Sequence, residues 1–192
     1  MELKWRESLR RAFRGWVIVM LLSISQSYAN NTWVEMRFGK VKKQVSDNTC
    51  GLASLVYIFS EHYNKEISED ELILTAGVKT EYSFLDLARL AKIFSIKTSG
   101  VKITLVQLSR IHSPAVLYLN RFGKDHFVVF NGIDKGIVQL YDPAWGMINY
   151  TVNQFYRHWA DVDGYGKVLI FLDHRQVKIN DDLIFEKKIP EF

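Results

Sequence analysis

The order of hydrophobic patterns along the chain predicts an α+β domain, with helices first and an antiparallel β-sheet after them. Between residues 50 and 94, apolar residues recur at helical spacing and polar residues stand where helix caps belong. From residue 96 onward, runs of β-branched and aromatic residues alternate with turn residues, which is typical of strands. The chain has 192 residues, of which 48% are hydrophobic and 24% are charged, so one folded domain with its own core is expected.

The first 29 residues are predicted to be a secretory signal peptide. An apolar run over residues 16–24 precedes Ser27-Tyr28-Ala29, which has the pattern of a cleavage site. The basic residues ahead of this run are Lys4, Arg6, Arg10, Arg11 and Arg14. The apolar run would span only about 14 Å of a hydrocarbon layer about 30 Å thick, so an uncleaved membrane anchor is the less favoured alternative. We therefore expect a periplasmic or secreted protein.

The basic charge of the chain is concentrated in this leader. The full sequence has 25 Lys and Arg residues against 21 Asp and Glu residues, whereas residues 30–192 retain 20 against 19, a formal net charge of +1. The basic balance of the full chain therefore gives no support for a nucleic-acid partner, and none is predicted.

Three helices are predicted after an extended arm at residues 30–45. Their expected bounds are about 50–63, 68–75 and 83–94. The second helix has a capping-box pattern, Ser68 with Glu71, and Gly77 follows its end. The residues that can cap the first helix are Asp47, Asn48 and Thr49.

Five strands are predicted in the second half of the chain. They are expected at 96–103, 114–120, 126–133, 136–142 and 166–172, with short helices at 104–111 and 152–160. Asp134-Lys135-Gly136 fits a hairpin turn between the third and fourth strands. The polar segment 173–192 is predicted to pack as a C-terminal arm, so the predicted divisions of the chain are 1–29, 30–172 and 173–192.

Cys50 is the one cysteine of the chain and stands at the start of the first predicted helix. An unpaired thiol is unusual in an exported protein, where paired cysteines form disulfides. Two interpretations are open at this point. Cys50 is either a small buried hydrophobe or a reactive thiol, since the N-terminus of a helix favours the thiolate.

A reactive thiol requires a base, and His126 is the histidine with the most suitable placement. It opens a predicted strand directly after a turn, although a surface histidine at a strand end is the simpler interpretation of its position alone. Asp142 ends the next strand, and both residues lie at similar separations from the turn near residue 135. Antiparallel pairing would make them neighbours, so that the carboxylate could orient the imidazole. Asp142 before Pro143 also fits an ordinary turn.

A thiolate that attacks a carbonyl also needs donors for the developing oxyanion. The backbone N–H of Cys50 is one candidate, and the side-chain amide of Gln44 on the entering arm is another. Asp47 and Asn48 are interpreted as helix caps rather than catalytic groups.

Three motifs in this order resemble the peptidase C39 family of papain-like cysteine peptidases. They are Q-x5-C-G-x-A-x-L from Gln44, H-F-V-V-F-N-G from His126 and Y-D-P-A-W-G from Tyr141, and the resemblance covers about residues 38–172. It implies a papain-like α+β fold with the cysteine helix packed on an antiparallel sheet. It also implies Cys50 as nucleophile, His126 as general base and acid, Asp142 as the residue that orients the imidazole and Gln44 as oxyanion donor.

The family is best known for leader-cleaving domains of bacteriocin exporters, which act on double-glycine leaders on the cytosolic side. Because this domain is expected to be exported, it is more similar to small stand-alone members of the family. One such type is encoded with functional-amyloid (Fap) secretion systems. The resemblance thus implies a peptide or protein substrate, and a partner in outer-membrane secretion or fibre-assembly machinery.

The function predicted from the sequence is that of an exported cysteine endopeptidase. The alternatives are a C39-like module that binds peptides without cutting them, and another acyl transfer on the same residues, such as an amidase or transglutaminase-like reaction. No cofactor or metal site is predicted, since the histidines are scattered and lack ligand spacing. The aromatic residues near Trp145, Tyr150, Phe155, Tyr156 and Trp159 are expected in the core, with a substrate groove as the second interpretation.

Overall fold

The computed structural model describes residues 35–39, 43–121, 123–172 and 187–188. The chain divides into two compact units, residues 1–40 and 41–192. Residues 35–38 of the first unit form a helical turn, so the expectation of an extended arm over 30–45 was wrong at this point. The predicted signal peptide and the predicted C-terminal arm, apart from residues 187–188, lie outside the described residues.

Three helices come first in the larger unit, as predicted. They are α1 (Cys50–Tyr63), α2 (Glu69–Ala76) and α3 (Phe84–Ile93). Ser68 begins α2 through a capping box with Glu71, and Ser83 begins α3 through the same motif with Asp86. Each serine hydroxyl accepts a hydrogen bond from the N–H of the acidic residue, whose carboxylate accepts the serine N–H in return.

The remaining elements form an antiparallel sheet with two short helices. The strands are β1 (Lys97–Ile103), β2 (Ala115–Arg121), β3 (Lys124–Asp134), β4 (Ile137–Asp142), β5 (Gly146–Thr151) and β6 (Gly166–Leu172), in the order β5-β4-β3-β2-β6-β1. The two-residue strand β7 (Lys187–Lys188) lies beside β1. The short helices are α4 (Leu105–Leu108) and α5 (Val152–Trp159). The α+β fold class is therefore confirmed.

The structure corrects two predictions about the strands. β5 was not predicted because it is an edge strand whose one buried residue is Gly146, and its polar residues resemble a loop. β3 begins at Lys124 rather than at His126, because β2 and β3 pair through a tight hairpin in which Arg121 lies opposite Lys124. His126 is therefore inside a strand instead of at its opening.

Helices cover both faces of the sheet. Phe155 and Trp159 of α5 pack on the face that carries Val128 and Leu140. Adjacent residues of a strand point to opposite faces. Phe127 and Tyr141 accordingly contact the helices before the sheet through Phe84 of α3 and Tyr57 of α1.

The aromatic segment after β4 divides between the core and the surface. Phe155 and Trp159 are buried, which agrees with the expected core role, whereas Trp145 and Tyr156 are exposed. Among the helices of the described residues, none has the length and apolar character needed to cross a membrane.

Candidate active site

Cys50 is the first residue of α1, and its side chain is buried. Thr49 occupies the cap position, but its hydroxyl donates to the carbonyl of Ser46 instead of accepting from the helix. The first turn of α1 contains no acidic residue. The N–H groups at this helix end are therefore uncapped by a side chain, and their partial positive charge is directed at the region of the thiol.

Because α1 packs closely on β3, a backbone N–H of the strand reaches the sulfur of Cys50. Gly51 follows Cys50, and a Cβ at this position would lie 3.1 Å from side-chain atoms of both Leu87 and Phe127. Glycine therefore allows the start of the helix to pack tightly on the strand. The backbone N–H of Phe127 donates to Cys50 Sγ over 3.5 Å, an interaction that the sequence did not indicate.

His126 and Asp142 form the predicted pair. His126 Nε2 lies 2.9 Å from Asp142 Oδ1, and the Cys50 side chain interacts with the same imidazole and raises its pKa. The predicted register is corrected by a bulge at Asn131. Continuing from the pair Val129–Tyr141 places Asp142 opposite Val128, so His126 is its diagonal neighbour on the same face of the sheet.

Asp142 is completely buried and accepts hydrogen bonds at both carboxylate oxygens. Oδ1 accepts from His126 and from the backbone N–H groups of Ala144 at 2.8 Å and Trp145 at 3.2 Å. Oδ2 accepts from Arg121 Nη1 at 3.0 Å. The turn after β4, which the sequence also predicted, thus supplies two backbone N–H donors that replace water around the carboxylate.

Arg121 was not among the residues singled out from the sequence. A signal was present, because Arg121 directly precedes the short turn that joins β2 to β3. Once this hairpin is recognised, Leu119 lies opposite His126, and Arg121 falls two residues further along the same face.

The electrostatics of the site favour a charged imidazole. Burial lowers the pKa of His126, but hydrogen bonds to Asp142 and Cys50 and the charges of these residues outweigh it and raise the pKa to about 9. Burial raises the pKa of Asp142, but the hydrogen bond and charge of His126, the Ala144 N–H and the charge of Arg121 hold it below its usual range. At neutral pH the site therefore contains a carboxylate beside an imidazolium.

Gln44 lies next to this turn. Its backbone N–H donates to the Pro143 carbonyl at 3.0 Å, and one N–H of its side-chain Nε2 donates to the Ser46 carbonyl at 2.9 Å. Gln44 Oε1 is buried and has no hydrogen-bond partner among the described residues. The second N–H of the amide is left to donate to another acceptor.

Asp47 and Asn48, which were interpreted as candidate caps, do not cap α1. The side-chain amide of Asn48 donates to the Lys79 carbonyl and so ties the loop before α1 to the segment between α2 and α3. Asp47 is exposed.

A cavity of about 410 Å³ lies further along α1, beside the bulge in β3. Its lining includes Tyr57, His62, His112 and Asn131, and it does not include Cys50, His126 or Asp142. The cavity is therefore distinct from the cysteine–histidine–aspartate cluster.

A helix that begins with a buried cysteine and packs on an antiparallel sheet, in which neighbouring strands hold a histidine–aspartate pair, defines a papain-like α+β domain. A family model described as "Peptidase C39 family" matches residues 39–165. The chain belongs to the peptidase C39 family, and the resemblance inferred from the three motifs is confirmed.

Two relatives carry the name "Probable functional amyloid protease FapD". The protein of Pseudomonas aeruginosa is 28% identical over 140 residues, which cover 67% of this chain and 60% of the relative. The protein of Pseudomonas fluorescens is 27% identical over 153 residues, which cover 72% of this chain and 68% of the relative. The chain thus spans about two thirds or less of the length of these relatives.

The fold is similar to that of solved peptidase domains. One is a double glycine motif protease from an AMS/PCAT transporter, whose crystal structure contains a leader peptide. It matches with a TM-score of 0.60 and 23% identity, over 70% of this chain and 96% of the solved chain. At this identity the match supports the fold, and it agrees with the predicted papain-like architecture.

Proposed function

We propose that this protein is a cysteine endopeptidase in which Cys50 is the nucleophile, His126 the general base and acid, and Asp142 the residue that orients the imidazole. The observation that carries the proposal is the 2.9 Å contact of His126 Nε2 with the buried Asp142 carboxylate, together with the interaction of the Cys50 side chain with the same imidazole. Membership of the peptidase C39 family supports the same reaction class.

In the proposed reaction, the Cys50 proton resides on His126, and the thiolate attacks the carbonyl carbon of the scissile peptide bond. The C–N bond of the tetrahedral intermediate then breaks, and the leaving amine takes the proton from His126. The neutral imidazole removes a proton from a water molecule, which attacks the thioester and releases the acid with return of the thiol. Asp142 remains ionised throughout and stabilises the imidazolium when it forms.

The oxyanion would be held by two kinds of donor. The backbone N–H of Cys50 lies at the uncapped start of α1, and the second N–H of the Gln44 amide can supply the other hydrogen bond. Gln44 is fixed in place by its bonds to Pro143 and Ser46, which supports its assignment as an oxyanion donor.

We further propose that the protein acts after export, in the periplasm or outside the cell, on a secreted or periplasmic protein. The predicted leader and the similarity to relatives named as functional amyloid proteases support this part of the proposal. By the same similarity, the proposed partners are components of a secretion or fibre-assembly system.

The test is cleavage of a peptide mixture by the purified full chain, read by mass spectrometry, with Cys50→Ala and His126→Ala as variants. Both variants are expected to lose detectable cleavage. Cys50→Ala should unfold at a temperature close to that of the wild type, whereas His126→Ala loses the stability linked to the charged imidazole and is assayed at a temperature at which it is folded. His112→Ala is the matched control, since His112 is exposed and outside the cluster, and it should cleave normally. Retained cleavage by Cys50→Ala would refute the assignment of the nucleophile.

A parallel measurement separates a peptidase from a peptide-binding module. Iodoacetamide should alkylate Cys50 at about pH 6 much faster than it alkylates free cysteine, and the His126→Ala variant should lose this advantage. An alkylation rate equal to that of free cysteine in the wild type would instead favour binding without cleavage.

A further inference from the structure

Asp142 occupies a position in which an ionised carboxylate needs strong support. Its side chain is fully buried, and a carboxylate out of water is costly unless other groups replace the lost hydration. In the reaction proposed above, His126 is charged in one step and neutral in the next. A support that came from His126 alone would therefore disappear when the proton leaves the imidazole.

The three other donors to Asp142 divide unequally between its oxygens. The N–H groups of Ala144 and Trp145 both point at Oδ1, the oxygen that also contacts His126. Among the described residues, Arg121 is the partner of Oδ2, at 3.0 Å. Arg121 thus supplies a full charge whose protonation does not change during the reaction.

The hairpin of β2 and β3 places Arg121 beside Asp142. Arg121 ends β2 and pairs with Lys124 of β3, and Gly123, just before β3, has φ +75°. This pairing sets Leu119 against His126, so Arg121 and His126 share a face of the sheet. The Arg121 side chain is 18% exposed, which means that its contact with Asp142 is only partly screened by water.

We propose that Arg121 is a positioning residue of this site, which keeps Asp142 ionised and fixes the plane of its carboxylate so that Oδ1 holds the His126 ring toward Cys50. The proposal rests on the function proposed above, because it gives Arg121 a role only through His126. It predicts that loss of the guanidinium charge disorders the imidazole even though no group that touches a substrate has changed.

The experiment observes the imidazole directly in the full chain labelled with 15N-histidine. In the wild type, the His126 Nε2–H that donates to Asp142 should give a downfield, slowly exchanging proton signal, which His126→Ala removes and thereby assigns. In Arg121→Met this signal should broaden or disappear, while the backbone amide spectrum should remain that of a folded protein. Arg121→Lys keeps a charge near Oδ2 and should retain it.

Alkylation of Cys50 by iodoacetamide at pH 6 supplies the functional readout without a known substrate. Arg121→Met should react about tenfold more slowly than the wild type, and Arg121→Lys should recover most of the rate. Arg110→Met is the matched control for loss of an arginine, because Arg110 is exposed, and it should behave as the wild type. If Arg121→Met fails to fold, Arg121→Gln carries the same comparison.

An unchanged imidazole signal and an unchanged alkylation rate in Arg121→Met would overturn the proposal. An equal loss of signal in Arg110→Met would also overturn it, since the effect would then be general. The imidazole signal tests Arg121 whether or not the protein cleaves peptides, so failure of the proposed peptidase activity would be seen separately, in the Cys50→Ala comparison.

Discussion

At the scale of single residues, the site joins groups with opposite requirements. Cys50 needs a base within reach, while His126 needs a partner that retains its own charge in a buried position. Asp142 satisfies the second requirement because four hydrogen bonds replace the water that it lacks. The hydrogen bonds of the site therefore converge on the Asp142 carboxylate.

The raised pKa of His126 predicts a pH dependence of stability. An unfolded histidine has a pKa near 6.5, whereas His126 in the fold has a pKa of about 9. The fold therefore binds an additional proton between these values, so this contribution is complete below about pH 6.5 and is lost as the pH rises through about 9. Each unit of pKa difference corresponds to about 1.4 kcal/mol of unfolding free energy.

The measurement is the urea midpoint of the wild type and of His126→Gln from pH 6 to pH 10. The difference between the two proteins should be largest at the acidic end and should shrink toward pH 10. The comparison cancels other titrating groups, such as His62, whose pKa is lowered by burial. Two curves that run parallel over the whole range would contradict the pairing of His126 with Asp142 and Cys50.

Most residues of the candidate site were singled out from the sequence, but two groups that hydrogen-bond to them were not. Cys50, His126, Asp142 and Gln44 stood out because each is a reactive or polar type at a predicted element end. Arg121 and the Phe127 N–H did not, since an arginine near a turn is normally solvated and a backbone donor has no sequence signature. Their roles arise only from the three-dimensional approach of β2 and β3 to the cluster.

At the scale of elements, the three helices before the sheet were predicted closely, whereas one edge strand and the register of β3 with β4 were not. The capping box at Ser68 is a local pattern and was predicted from the sequence, and the structure shows the same motif at Ser83. The edge strand β5 and the bulge at Asn131 depend on pairing with β4, which no local pattern specifies. The bulge changed the expected register, and the aspartate still reached His126 because a diagonal neighbour remains within side-chain range.

The contact of α1 with β3 gives a prediction about Gly51. A side chain there would meet Leu87 and Phe127 at 3.1 Å, so Gly51→Val should force the start of α1 away from the strand. We expect a loss of about 1–3 kcal/mol in unfolding free energy, the usual cost of overpacking. The alkylation rate of Cys50 should fall as well, measured at a temperature at which the variant is folded.

Ser60→Val is the control for this variant. Ser60 lies later on α1, is partly exposed and bonds to Glu66 at the surface, so the substitution tests valine in the same helix without the tight contact. It should change neither the unfolding free energy by more than a few tenths of a kcal/mol nor the thiol reactivity. Equal effects at both positions would show that helix propensity, and not packing against β3, explains the result.

At the scale of the whole molecule, the order of elements was predictable because hydrophobic periodicity is helical before about residue 95 and mainly strand-like after it, with two short helical segments among the strands. The strand order was not predictable in the same way. β6 pairs with both β1 and β2, and the register joins Lys97 to Leu172. Such long-range pairing depends on the complete sheet, and the sequence predicted an antiparallel sheet without its strand order.

The predicted leader determines in which compartment the protein is expected to act. If residues 1–29 are a signal peptide, expression of the full chain in a Gram-negative bacterium should yield a periplasmic protein whose first residue is Asn30. N-terminal sequencing and intact mass of the periplasmic fraction measure this directly.

Val19→Arg interrupts the apolar run and should retain the chain in the cytosol, whereas Ala29→Phe should permit targeting but block processing at this site. A membrane-bound wild type that retains residues 1–29 would contradict cleavage and support the anchor alternative, and a cytosolic wild type would contradict export itself. If the chain is exported, Cys50 would be in an oxidising compartment without a second cysteine of this sequence to pair with, which would leave its thiol for the adjacent imidazole.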